Sequence, residues 1–241
     1  MALGLASIPQ YMGSNERQQL VLPLPYFVYR SDRLQVNHNG IRTKIFDSDS
    51  LSLDASFGAG LSVSGNNKAR QGMPNLPFTV QLGPRLNWQI KETSNQGLKF
   101  RLPLRWNIDT SLHHAGYLVE PEFLWNAQLS SSSRVAVGIG STFTSQAFNN
   151  RYYTVTKKYA TSTRPRYQAS SGLHSIFLQS SIHYDYSPSW AMFAAMRYRN
   201  MNVSKLSQSP LVKTPHYLSV FLGQYLRQNS AISARINHEF H

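Results

Sequence analysis

Apolar residues recur at every second position along most of the chain. LSLDASFGAGLSV (51–63) sets Leu51, Leu53, Ala55, Phe57, Ala59, Leu61 and Val63 on one face. LPFTVQLGPRLNWQI (76–90) and LKFRLPLRWNI (98–108) continue the rhythm, as do YLVEPEFLWNAQL (117–129) and RVAVGIGSTF (134–143). It returns in LHSIFLQSSIHYDY (173–186), WAMFAAMRYRN (190–200), YLSVFLGQYLR (217–227) and AISARINHEF (231–240). A period of two is the signature of strands with two unlike faces, and helical spacing does not compete in these stretches. LVLPLPYFVYR (20–30) keeps the stripe at Leu20, Leu22, Leu24, Tyr26 and Val28, with Pro23 and Pro25 on the opposite face. Proline removes a ladder donor and belongs at edges or bulges, so a bulge is expected there that spares the stripe.

The strands are long, commonly about 10 to 13 residues against a mode of about 5 or 6 in globular proteins. A tilted strand of about 9 to 11 residues crosses a bilayer. The second faces are polar: Lys99, Arg101, Arg105 and Asn107 on one strand, Glu120, Glu122, Asn126 and Gln128 on the next. Short links (31–33, 130–133, 187–189) alternate with long ones (64–75, 144–172, 201–216), as periplasmic turns alternate with extracellular loops. Aromatic residues such as Trp88, Trp106, Tyr117, Trp125, Tyr184 and Tyr198 fall near strand ends, where headgroup belts place them. The pattern predicts an all-β fold, a closed antiparallel transmembrane barrel forming one domain over residues 1–241, with a soluble β protein as the alternative. The count turns on LQVNHNGIRTKIF (34–46). Asn39-Gly40 as a hairpin gives 13 strands. One strand there gives the even number of 12 but puts the 144–172 loop on the wrong side.

Composition narrows the chemistry. An apolar fraction of 41% supports an ordered fold, and the absence of cysteine removes disulfides and thiolate ligands. No run of about 18 apolar residues offers a transmembrane helix. MALGLAS lacks a basic leader and apolar core, which fits a cytoplasmic chain or one whose signal peptide has been removed. The net charge is +13, with 24 Lys and Arg against 11 Asp and Glu. No acid lies between Glu122 and Asp185, an interval that holds Arg134, Arg151, Lys157, Lys158, Arg164 and Arg166. Such a surface attracts anions.

With the stripes outward, the inward charges are Asp54, Arg85, Lys99, Arg101, Arg105, Glu120, Glu122, Arg197 and Arg199. A hairpin near 109–116 brings Arg101 or Arg105 opposite Glu120 or Glu122. Such pairs either order the wall or form a transverse field that selects solutes; an open lumen of this composition favours anions. The loop 144–172 interleaves Arg151, Lys157, Lys158, Arg164 and Arg166 with Tyr152, Tyr153, Tyr159 and Tyr167. It reads as a surface segment facing lipopolysaccharide phosphates, or as one folded inward to constrict the channel; no nucleic-acid motif accompanies it. His113-His114 lacks partners at metal-ligand spacing, and Asp47 with Asp49 lacks the calcium-loop pattern. Neither a metal, a cofactor nor a catalytic set is expected.

Pro9, Tyr11, Gly13 and Ser14, then Leu22 to Tyr26, resemble the opening of the MipA/OmpV family of outer-membrane proteins. FDSDSLSLDASFG (46–58), the loop landmarks Tyr152 or Tyr153, Val155, Pro165, Tyr167, Gly172 and Leu173, and SPLVKTPHYLSVFLG (209–223) are similar to that family in the same order. The resemblance implies a barrel of 12 strands in the outer membrane of a Gram-negative bacterium, with its signal peptide removed. It implies a pore or a scaffold, the latter binding a lytic transglycosylase and a penicillin-binding protein, and it brings no catalytic residues. A non-conducting structural or adhesion barrel and, more remotely, a lipid-modifying hydrolase are the alternatives. Residues 228–241 extend past the family's last strand and read as one more, with Phe240 as a terminal aromatic and His241 as a tag remnant.

Overall fold

A computed structural model describes the backbone of residues 2–24, 29–30, 34–37, 40–43, 46–47 and 50–226, with side chains for 3–21 and 50–226. The strand expected at 231–240, His38, His238, and the side chains of Asp47 and Asp49 lie outside these. In chain order the strands are β1 (Ala2–Pro9), β2 (Arg17–Leu24), β3 (Tyr29–Arg30), β4 (Leu34–Asn37), β5 (Gly40–Thr43), β6 (Phe46–Asp47), β7 (Leu51–Gly60) and β8 (Thr79–Glu92). There follow β9 (Gln96–Asp109), β10 (His114–Val119), β11 (Glu122–Gln128), β12 (Ser133–Thr144), β13 (Gly172–Asp185), β14 (Trp190–Asn200) and β15 (His216–Leu226). One helix, α1 (Gln146–Tyr153), precedes β13.

The main sheet is antiparallel in the order β2-β1-β15-β14-β13-β12-β10-β9-β8-β7-β6, and β11 lies between β9 and β12 in line with β10. A smaller sheet has the order β3-β4-β5. The junction of β10 and β11 is stitched on both sides: Glu120 N–H donates to Pro103 O at 3.1 Å and Ser141 N–H to Pro121 O at 3.1 Å. Both edges of β15 are occupied, by β1 and β14.

The period of two becomes a division of faces. Ile139, Phe123, Leu178, Leu222, Met192 and Val80 are exposed on one side. Arg199, Glu120, Glu122, Asp54 and Asn107 are buried on the other. The sheet curls around that second face, so that β1, β7, β9, β12 and β15 all line one cavity. Its two ends approach at the rim, where the Gln18 side chain donates to Ser62 O at 3.2 Å. The fold is β-rich and barrel-like, with its densest packing at one end.

Strand β2 departs from the outward stripe read in its sequence. Register pairs Leu5 with Val21 and Ala6 with Leu20. Leu5 and Val21 are exposed while Ala6 is buried, so Leu20 sits on the inner face. That sector of the interior is apolar, which explains why a leucine there faces inward.

The connections segregate. Those at 10–16, 61–78, 110–113, 145–171 and 201–215 share one end, because Gly60 pairs with Thr79, Thr79 with Asp109, Thr144 with Gly172 and Asn200 with His216. The turns at 93–95, 129–132 and 186–189 share the other end, beside the last described residue, Leu226.

Gly116 fits the helix to the sheet. It has φ of +92° within the irregular register of β10, and a Cβ there would lie 2.3 Å from Phe148 N. The Ser145 hydroxyl accepts from Phe148 N–H at 3.3 Å and from Tyr117 N–H at 2.9 Å, capping α1 and tying it to β10.

Candidate functional site

Directly opposed strand positions create the interior ion pairs. Asp54 faces Arg85 in register, and the guanidinium grips both carboxylate oxygens at 2.8 and 2.9 Å. Glu122 faces Arg101 in register and accepts from its Nη2 at 2.6 Å. Glu120, at the β10–β11 junction, bonds Arg105, accepts from Arg199 Nη2 at 2.7 Å and lies 3.9 Å from Arg197 Nη1. Thr142 donates to the same carboxylate at 3.0 Å.

Gln179 links the two glutamates. It donates to Glu122 Oε2 at 2.8 Å, and its carbonyl accepts from Arg197 Nε at 2.9 Å. The Arg197 and Arg199 guanidiniums lie 4.7 and 5.0 Å from the Phe177 ring centroid, within cation–π range. Lys99 lines the same cavity of about 750 Å³, together with Arg85, Arg101, Arg105, Arg197 and Arg199. Seven of the nine charged positions singled out in the sequence line this cavity, and Asp54 and Glu122 are ion-paired to two of them, Arg85 and Arg101. What strand alternation did not reveal is that Thr142, Gln179 and Phe177 hold them together.

The loop residues divide into two groups. Lys157, Lys158 and Arg166 are exposed. Arg164 instead donates to the carbonyls of Tyr159, Ala69 and Gln71 at 3.0, 3.2 and 2.9 Å, pinning its loop to residues 69–71. Arg151 donates to Pro77 O at 2.8 Å and lies 3.9 Å from Asp109. Tyr159 and Tyr167 are half-buried, and Tyr167 donates to Lys205 O at 2.8 Å.

Tyr152 and Tyr153 are not surface residues. They are 6% and 0% exposed, because α1 turns them inward over the cavity. With Phe148 they join Tyr11, Val63, Leu76, Leu118, Met201, Leu206 and Tyr217 in one apolar cluster drawn from four connections and the strand ends below. This cluster caps the loop end of the interior.

Two of the buried phenols find carbonyls. Tyr11 donates to Leu211 O at 2.6 Å, and Tyr153 donates to Met12 O at 2.8 Å. Burial pushes the Tyr11 hydroxyl up to about 12 and Tyr153 well above the usual phenol value, since the phenolate would lose its water. Beneath the cap, His174 is wholly buried, with Nε2 2.8 Å from the Tyr153 hydroxyl and Nδ1 3.0 Å from Ser175 Oγ. No local motif marks His174; its place beside Tyr153 of α1 distinguishes it. His113 and His114 stay exposed at their turn.

A barrel-like antiparallel sheet with an apolar outer face and a charged inner one defines an outer-membrane type of β protein. The family described as MltA-interacting protein MipA matches residues 1–225, and the chain belongs to that family. Its members are non-catalytic, and no enzymatic role is assigned to the interior. No curated protein matches the chain.

Proposed function

We propose that the chain is a twelve-strand outer-membrane barrel, sealed at its loop end, that serves as a scaffold of the cell envelope. Closure is supported by the pairing order of the described strands once β2 and β3 count as one wall position, and β5 and β6 as another. The ladder then returns on itself: β3 pairs β4, β4 pairs β5, β6 pairs β7, and β1 pairs both β2 and β15. Counting β10 and β11 as one as well gives twelve strands. Ala2 and Leu226 then lie at the end of the short turns, and the 145–171 loop joins the other long connections.

The outer face supports a membrane setting. Trp106 and Tyr117 pair near the loop end of β9, and Trp125 pairs with Leu98 toward the turn end. The span from Leu98 to Trp106 is roughly 26 Å of strand, which when tilted covers most of an apolar band about 25 Å tall. In this setting the turns are periplasmic, and exposed Lys157, Lys158 and Arg166 face lipopolysaccharide phosphates.

One observation carries the sealed reading: Tyr153, from the longest connection, lies fully buried above the cavity and bonds across to Met12 and His174. A resting pore has no use for such a cap. The family description names an interaction with MltA, and the resemblance implies a lytic transglycosylase and a penicillin-binding protein as partners at the periplasmic end. A recess of about 310 Å³ there, lined by Glu92, Asn95, Gln128, Arg134 and His183, gives such a partner polar contacts.

The basic interior favours a second reading, an anion pore that conducts once the cap moves. Planar-bilayer recording of the refolded protein separates the two. A silent wild type with current in Tyr153→Ala supports the seal, while spontaneous anion-selective steps in the wild type would refute it. Capture of a purified lytic transglycosylase on the immobilised barrel tests the scaffold role independently, and its absence would remove that role.

A further inference from the structure

We infer that the cap over the interior is an acid-released latch, with His174 as the group that takes up the proton. The inference deepens the sealed-barrel reading and rests on it. His174 is 0% exposed, and its ring lies 5.6 Å from that of Tyr153. The bonds around it fix its tautomer. Tyr153 has one phenolic hydrogen and gives it to Met12 O at 2.8 Å, so His174 Nε2–H donates to the phenol oxygen, also at 2.8 Å. Nδ1 then carries a lone pair and accepts from Ser175 Oγ at 3.0 Å. Ser175 Oγ accepts in turn from Arg199 Nη1 at 3.4 Å. The chain as a whole requires a neutral imidazole.

A second ring proton breaks the pattern. It would sit on Nδ1, donor against donor, until the Ser175 hydroxyl turned its hydrogen away. It would also set a second cation beside Arg199 in a fully buried site, and a buried charge without a partner is costly. Among the described residues the carboxylate acting on the ring is Glu120, from the β10–β11 junction, alongside Arg199 from β14. Glu120 is already bonded to Arg199, Arg105 and Thr142. The cap contributes Tyr11, Tyr152 and Tyr153, and β15 contributes Tyr217; these are phenols, which carry no charge in acid. β12 presents uncharged Thr142 opposite Ser175 in register. Lys205, on the connection packed against β13, is exposed.

Lifting α1 reverses the balance. Tyr153 leaves the ring, which then meets solvent, and a solvated imidazole takes up a proton below about pH 6.5. Below about that value the lifted state binds one proton more than the latched state, so acid favours lifting, by up to about tenfold for each further pH unit. The other bonds of the cap do not respond to acid. Tyr11 donates to Leu211 O, and the Ser209 hydroxyl donates to Tyr153 O at 2.7 Å; both are neutral pairs set in the apolar cluster. His113, His114 and His216 are exposed and lie outside that cluster, so lifting α1 leaves their surroundings as they were. One imidazole therefore carries the response.

The test is planar-bilayer recording of the refolded protein at about pH 7.5 and about pH 5. The readout is open time rather than step size, because step size also follows the charge of the lumen. The wild type should be shut or nearly so at the higher pH and open up to roughly thirtyfold longer at the lower. His174→Gln keeps a donor and an acceptor on the side chain but takes up no proton, so its open time should be the same at both pH values, whatever its level. His174→Asn gives the same readout where the glutamine variant fails to insert. A wild type shut at both pH values, or an acid rise that persists undiminished in the variant, would overturn the inference. The first of these leaves the seal intact and removes the latch alone, whereas a wild type that conducts freely at both pH values removes the seal and the latch with it.

Discussion

Glu120→Gln is the most incisive perturbation of the interior. The substitution keeps size and shape while removing the charge that faces Arg105, Arg197 and Arg199. The glutamate is 6% exposed, and its bonds to Arg199 at 2.7 Å and to Thr142 at 3.0 Å leave little room for rearrangement. Losing one partner of a buried ion pair costs about 3–5 kcal/mol, and the adjoining cavity, by admitting water, places this case near the lower bound. For a chain of this size each kcal/mol moves the melting temperature by about 2–4 °C, so a fall of roughly 6–12 °C is expected. Heat-dependent gel mobility and circular dichroism in detergent both follow the transition. Arg199→Met on the Glu120→Gln background should cost less than the two single losses combined, because it removes one stranded cation. A melting temperature within about 2 °C of wild type, or strictly additive losses, would refute the central role of this carboxylate.

Three other outcomes test the outer face and the cap. Ile139→Arg, on an exposed apolar position paired with Phe123 and Leu178, should destabilise the inserted barrel by about 2–4 kcal/mol; unchanged folding into vesicles would place that face outside the lipid. Tyr11 holds its proton up to about 12, whereas an unfolded tyrosine releases it near 10.0. The native state therefore binds more protons across that window, and stability is full below pH 10.0 and declines as pH approaches 12. Titration of phenolate absorbance should lose a late-ionising phenol in Tyr11→Phe, and no change would contradict its burial. Gly116→Ala drives a methyl against Phe148 N and should loosen the cap, read as bilayer leak without loss of insertion.

Much of the fold was legible because a curled sheet between lipid and a polar interior enforces alternation along every strand. Nine charged positions could be assigned to one face, and Asp54–Arg85 and Glu122–Arg101 meet by register alone. Leu20 escaped because alternation gives two faces but not which is inner; the apolar sector near Ala6 decides it. Tyr152 and Tyr153 escaped for another reason. A loop dense in Arg, Lys and Tyr looks solvated in sequence, yet Ser145 starts a helix within it, and the helix turns two tyrosines inward. Nothing local announces His174, whose ring is covered by Tyr153 from α1.

The cap and the charged interior are joined by hydrogen bonds, which makes them one mechanical unit. From Tyr153 the chain of contacts runs through His174 to Ser175 Oγ, which accepts from Arg199 Nη1 at 3.4 Å, and Arg199 reaches Glu120. Lifting α1 alone would strand the buried His174 nitrogen, while withdrawing Glu120 would free Arg199 to leave Ser175. Unsatisfied buried polar groups each cost about 1–3 kcal/mol, so disturbance at either end is felt at the other. Glu120→Gln should therefore raise leak through the cap as well as lower melting temperature. An unstable but fully silent variant would mean that Tyr153 is held by Met12 and the apolar cluster without help from the ion pairs below.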